Sequence, residues 1–144
     1  MSRSSHIAVL ILVLNASGAQ AGPIAGTWRY ESKVPDPVYG EPEHLVLEIR
    51  VEGKKLCGTY LSAYRGGMRV AEGRFSGRLT GATGSVRYEA GWAEVAGEGR
   101  ATLRRTGTTL TWRVETPGPE PDFMIKSAVL VRTAKSIGAA IRCK

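Results

Sequence analysis

Apolar and polar positions alternate along most of this chain with a period of two. In residues 43–52, Leu45, Leu47, Ile49 and Val51 fall on one side, and Glu48, Arg50 and Glu52 on the other. In residues 108–115, Leu110, Trp112 and Val114 alternate with Thr109, Thr111, Arg113 and Glu115. In residues 123–131, Phe123, Ile125, Val129 and Val131 share a face that also takes in Ser127. Successive strand side chains point to opposite faces, so each segment predicts a strand with one buried face. Weaker alternation predicts further strands near 25–33, 55–64, 67–75, 84–90 and 93–104.

Turn formers separate these runs: Glu52-Gly53-Lys54, Arg65-Gly66-Gly67, residues 80–84 and Thr106-Gly107. Two loops, 34–42 and 117–121, are longer and marked by proline. About eight antiparallel strands at this close spacing predict an all-β domain. Its expected form is a small up-and-down barrel, with a β-sandwich as the alternative. Residues 136–141 predict a short C-terminal helix with Ile137, Ala140 and Ile141 on one side, although Gly138 opposes it.

The front end breaks the alternation. Residues 7–14 are an unbroken apolar run, preceded by Arg3 and followed by a small, polar stretch that ends in Ala19-Gln20-Ala21. This is the layout of a secretory signal peptide over residues 1–21, cleaved after Ala21. The run is shorter than the ~20 apolar residues a membrane span needs, and no later segment is long and apolar enough. The expectation is one domain, 22–144, in the periplasm or secreted, without a lipid anchor. Its cysteines are Cys57 and Cys143. An even count in an exported chain reads as a disulfide, and two cysteines allow one pairing. Their spacing fits neither a zinc motif nor a C-x-x-C redox motif.

Charge adds less than it first suggests. Twenty Lys and Arg against thirteen Asp and Glu give +7, a balance that favours acidic partners such as nucleic acid, anionic lipid or acidic glycans. The arginines are spread singly along the alternating segments, with no run of five or six basic residues. That pattern reads as solvated strand faces, and no specific nucleic-acid binding is expected.

Catalytic chemistry is poorly supplied. His44, beside Glu43, is the one histidine of residues 22–144. No nucleophile motif, P-loop or EF-hand loop occurs. Paired acids occur, Glu41 with Glu43 and Glu94 with Glu98, but Glu94 and Glu98 share a strand face that reads as the solvated one. The expectation is a non-enzymatic protein with no catalytic residue, metal or cofactor. The aromatic residues offer more. By parity Trp28 and Tyr30 share a face, and Leu56, Tyr60, Ser62 and Tyr64 share a face opposite Cys57, Thr59 and Leu61. Tyr30, Tyr60, Ser62, Tyr64 and Trp112 are therefore candidates to line a small-molecule pocket. The competing reading is that the rings fill the core.

Gly26-Thr27-Trp28, opening the first predicted strand, resembles the G-x-W start of the calycin barrels, the lipocalins and avidins. Leu56-Cys57-Gly58-Thr59-Tyr60-Leu61-Ser62-Ala63 resembles the avidin segment in which a tyrosine and a serine bind the biotin ureido group. The resemblance assigns those roles to Tyr60 and Ser62. It also implies that Arg132 covers Trp28 to close the barrel, and that a disulfide ties the C-terminal tail to a mid-barrel strand. After Trp28 the chain has Arg29, Tyr30 and Glu31 where the avidin pattern has ligand-binding Asn and Ser. Residues 82–88 also resemble the Ser-Gly-x-x-Tyr loop of small exported barrels that inhibit lysozyme. Lysozymes are cationic and this chain is basic, so an inhibitor role here would point to an acidic protein target.

These readings converge on an exported binding module, first as a small-ligand binder. The alternatives are a periplasmic inhibitor or immunity protein, acting on a protein through loops 34–42 and 117–121, and an uncharacterised structural envelope protein. The partner is an unknown small molecule or an acidic protein. An open cavity beside Tyr60 and Ser62 would favour the first reading. A filled interior with an exposed aromatic or proline-rich edge would favour the second.

Overall fold

The computed structural model describes residues 23–65, 67, 69–89, 97–118, 124–134 and 142–144. The predicted signal peptide, the 136–141 helix, Phe123 and most of loop 117–121 lie outside the described residues. Eight strands follow in order: β1 (Gly26–Glu31), β2 (His44–Glu52), β3 (Lys55–Tyr64), β4 (Arg69–Thr80), β5 (Thr83–Glu89), β6 (Glu98–Thr106), β7 (Thr109–Thr116) and β8 (Ser127–Thr133). Each pairs antiparallel with its neighbour in sequence. β8 returns to β1 through Thr27↔Thr133, Trp28↔Arg132 and Arg29↔Val131. The sheet is thus a closed barrel and not a sandwich. No helix of the described residues is long and apolar enough to cross a membrane.

One end of the barrel is held by three two-residue hairpin turns, Gly53-Lys54, Gly81-Ala82 and Gly107-Thr108. The first residue of each is a glycine at φ near +60° and the second has negative φ. This is the II′ geometry, whose twist matches that of the flanking strands. The longer connections leave the strands at the other, open end, the 32–43 loop among them.

Glycine also shapes the interior. Tyr88 faces Gly99 across the β5–β6 ladder, Phe75 faces Gly58 across β3–β4, and Tyr60 faces Gly73. A Cβ on Gly99 would lie 2.0 Å from the Tyr88 ring, and one on Gly58 would lie 2.2 Å from Phe75. Each ring lies over the glycine opposite it, so large and small residues interlock across the strands. Tyr60, Tyr88, Trp112 and Phe75 then form a continuous chain, with neighbouring ring centroids 5.9, 5.8 and 6.4 Å apart. Trp28, Leu45, Leu47, Leu103, Leu110 and Leu130 fill the space around it with no exposed surface.

Three details differ from the sequence pattern. β4 extends well past residue 75, because Gly77 is a point of close approach: a Cβ there would sit 1.9 Å from the Ser85 carbonyl oxygen. On β2, the outward residues Val46 and Glu48 are buried along with the inward ones. In β8 the parity is reversed. Ala128 and Leu130 point inward, while Val129 and Val131 are each 57% exposed. Ile125 is buried as expected, but it precedes the strand. The chain is irregular at residues 125–126 and enters β8 on the opposite phase.

Candidate functional site

The five residues expected to line a pocket divide into two groups. Tyr60, Ser62 and Trp112 lie together in the interior, each buried to 1% exposure or less. Their polar atoms are occupied by backbone. The Ile125 N–H donates to Ser62 Oγ at 3.1 Å, and Trp112 Nε1 donates to the Ile125 carbonyl at 2.9 Å. The Tyr60 hydroxyl donates to the Glu89 carbonyl. Two inward polar groups therefore hold one residue, Ile125, which with Met124 is buried as part of the core. Tyr30 and Tyr64 sit higher and are half-buried. With Glu43, Met124, Ile125 and Lys126 they surround a shallow cavity of about 250 Å³ at the open end.

At the closed end, the Arg132 guanidinium lies over the Trp28 ring, and its Nη1 donates to the Ala25 carbonyl at 2.8 Å. Gly26 sits at φ +128°, a backbone conformation that residues with a side chain rarely adopt, which accounts for the glycine of the Gly26-Thr27-Trp28 opening.

The β1–β2 loop is built differently from the core. Asp36 Oδ1 accepts from the N–H groups of Val38 and Tyr39 at 2.8 and 3.0 Å. The Asp36 N–H donates to the Glu41 carbonyl, and the Gly40 N–H to the Asp36 carbonyl. Ser32 Oγ donates to the Val34 carbonyl and accepts from the Glu43 N–H. An aspartate that satisfies its own turn, with prolines at 35, 37 and 42, restricts the backbone of this loop. Beside the exposed Lys33 and Glu41, this braced loop displays three large apolar side chains: Val34 is 76% exposed, Val38 75% and Tyr39 47%.

Cys57 of β3 is bonded to Cys143, 86 residues away in sequence, with Cα atoms 5.4 Å apart. The bond brings Arg142 and Lys144 against the outer wall of β3–β5, where depressions of about 390 and 530 Å³ flank the tail. His44 faces Glu31 on one side and Ala63 on the other. Among the described residues, no three of His, Cys, Asp and Glu come together as metal ligands.

Parity found the inward faces. It did not reveal that Ile125 would occupy Ser62 and Trp112, because that depends on a contact across 63 residues of sequence. Comparison with protein-family models, curated proteins and solved structures finds no match to the chain.

Proposed function

We propose that this chain is an exported, non-enzymatic module that binds another protein, in the manner of an inhibitor or immunity protein, through its β1–β2 loop. The observation that carries this reading is the braced loop presenting Val34, Val38 and Tyr39 to solvent. Exposed apolar groups on a rigid support are what a protein interface uses at its centre, and a pre-ordered loop loses little entropy on binding. The filled interior supports the same choice, since the Tyr60, Ser62 and Trp112 polar atoms are already paired with backbone. Export is inferred from the signal-peptide pattern, and the disulfide is consistent with an oxidising compartment.

A small-ligand reading keeps one observation in its favour, the open-end cavity beside Tyr30 and Tyr64. One experiment separates the two. Residues 22–144 and a Val34→Ser/Val38→Ser/Tyr39→Ala variant are each immobilised and exposed to extracellular and periplasmic fractions, with native mass spectrometry of what is retained. A protein held by the parent and lost by the equally folded variant supports the loop interface. A bound small molecule that both retain, with no protein difference between them, overturns it.

A further inference from the structure

The outer wall of β3–β6 carries a field of cations that strand register, not sequence, assembles. Lys55 stands directly opposite Arg78, and Arg87 directly opposite Arg100. Arg74 and Arg104 extend the field along β4 and β6 and are exposed. Like charges directly opposed across a ladder cost stability, with Cβ atoms about 4.5–5.5 Å apart. Carboxylates share this face, Glu72 two residues from Arg74 and Glu89 and Glu98 two residues from Arg87 and Arg100, but they are fewer than the cations. The ion pairs among the described residues join Arg29 to Glu31, Arg50 to Glu52 and Arg113 to Glu115, all on β1, β2 or β7. The disulfide adds two more cations, since Arg142 and Lys144 line the depressions in this same wall. Glu89 and Glu98 face each other on the open-end side of Arg87 and Arg100 and line one of these depressions, so the wall is mixed there and more strongly cationic toward the II′-turn end.

We infer that this wall binds an anionic polysaccharide carrying sulfate or phosphate esters. Arginine forks match tetrahedral oxyanions and are the larger part of the field. Ser76 and Ser85 stand between the arginines as hydroxyl partners for the oxyanions and for sugar hydroxyls, whereas the Thr102 hydroxyl already donates to Glu115 Oε1 at 3.3 Å. Among the described residues the exposed large apolar ones are Val34, Val38, Tyr39, Val70, Val129 and Val131, and none stands among these cations. A protein partner would call for an apolar centre. A single-stranded nucleic acid would call for aromatic platforms, and a duplex for an element that enters a groove. A hydrophilic, repeating polyanion needs none of these. Its attraction would also relieve the two opposed pairs, so the arrangement that weakens the free barrel favours the complex. The site is separate from the loop: the field lies along the barrel's side and reaches the II′-turn end, whereas residues 34–42 project from the other end.

The test uses heparin as probe, with duplex DNA, poly-glutamate and neutral dextran as comparators, measured by calorimetry across a salt series. One variant, Arg78→Ser/Arg87→Ser/Arg100→Ser, removes three of the four opposed cations and so breaks both opposed pairs. A control, Arg29→Ser/Arg50→Ser/Arg113→Ser, removes the same charge from the ion-paired positions. Heparin should bind the parent with strong salt dependence. The field variant should lose about tenfold or more in affinity with a shallower salt slope, and the control less than about threefold. The field variant should be at least as stable as the parent, because it sheds like-charge contacts. Equal losses in the two variants would reduce the effect to net charge and overturn the proposal. So would poly-glutamate or DNA binding as tightly as heparin, or no heparin binding at all.

Discussion

The guanidinium carbon of Arg132 lies 4.6 Å from the centroid of the Trp28 ring, and the two residues face each other across the β8–β1 ladder. Trp28 has no exposed surface, and its Nε1 donates to the Ile24 carbonyl at 2.8 Å. Arg105 approaches the same ring at 5.8 Å and donates to the Pro23 carbonyl, which Arg132 also contacts. Two arginines thus hold residues 23–25 beneath the barrel and keep water from the indole. Trp28→Ala should destabilise the protein by about 3–5 kcal/mol in denaturant unfolding, the range for a buried large aromatic.

Arg132→Lys should cost less, about 1–2 kcal/mol, because an ammonium cannot stack on the indole or reach both carbonyls. Equal unfolding midpoints for Arg132→Lys and the parent would show that the forked contact contributes nothing.

The disulfide closes a loop of 86 residues. On the chain-entropy account a bond over that length contributes about 4–5 kcal/mol, and measured losses run about 2–5 kcal/mol. Cys57→Ser/Cys143→Ser should fall in that range, and non-reducing peptide mapping of the parent should recover the 57–143 link. Two alkylatable thiols in the native oxidised protein would contradict it.

Much of the barrel was legible from residues alone because its signals are local. Alternation placed Leu45, Leu47, Ile49, Leu110 and Trp112 inward, and Gly53, Gly81 and Gly107 marked the tight turns. What failed to show depends on register or on distant contact. Val129 and Val131 looked like core residues, but Ile125 is held by Ser62 and Trp112 before β8 begins, and Ala128 and Leu130 take the inward positions. Glu48 sat on the polar side of its strand, yet it is 6% exposed. Its neighbours on that outer face include Cys57, where the tail is anchored. The arginines read as scattered because their pairing with one another appears only once β3–β6 are aligned.

Ser62 gives a direct probe of whether the interior serves packing or ligand. Ser62→Ala would leave the buried Ile125 N–H without its acceptor. An orphaned buried donor costs about 1–3 kcal/mol, so the variant should unfold at correspondingly lower denaturant. A variant as stable as the parent would mean that the Ser62 hydroxyl is not committed to Ile125.

Tyr88 should make stability fall on the alkaline side. Its ring is 2% exposed, packed between Tyr60 and Trp112, and its hydroxyl accepts from the Gly118 N–H at 3.2 Å. Burial disfavours the phenolate and raises the pKa above the ordinary 10.0; the Gly118 hydrogen bond opposes this but is the smaller influence. The folded state therefore keeps its proton at a pH where the unfolded chain has already released it. With the folded value the higher one, this contribution is complete below the unfolded pKa and is lost as pH rises through the folded one. Urea unfolding of the parent should show stability declining from about pH 10 upward. Tyr88→Phe removes the ionisation, so its alkaline decline should be shallower. At neutral pH the same variant should be less stable by about 1 kcal/mol, because the Gly118 N–H loses its acceptor. Identical alkaline slopes for parent and variant would show that the Tyr88 phenol ionises as readily in the folded barrel as in the open chain.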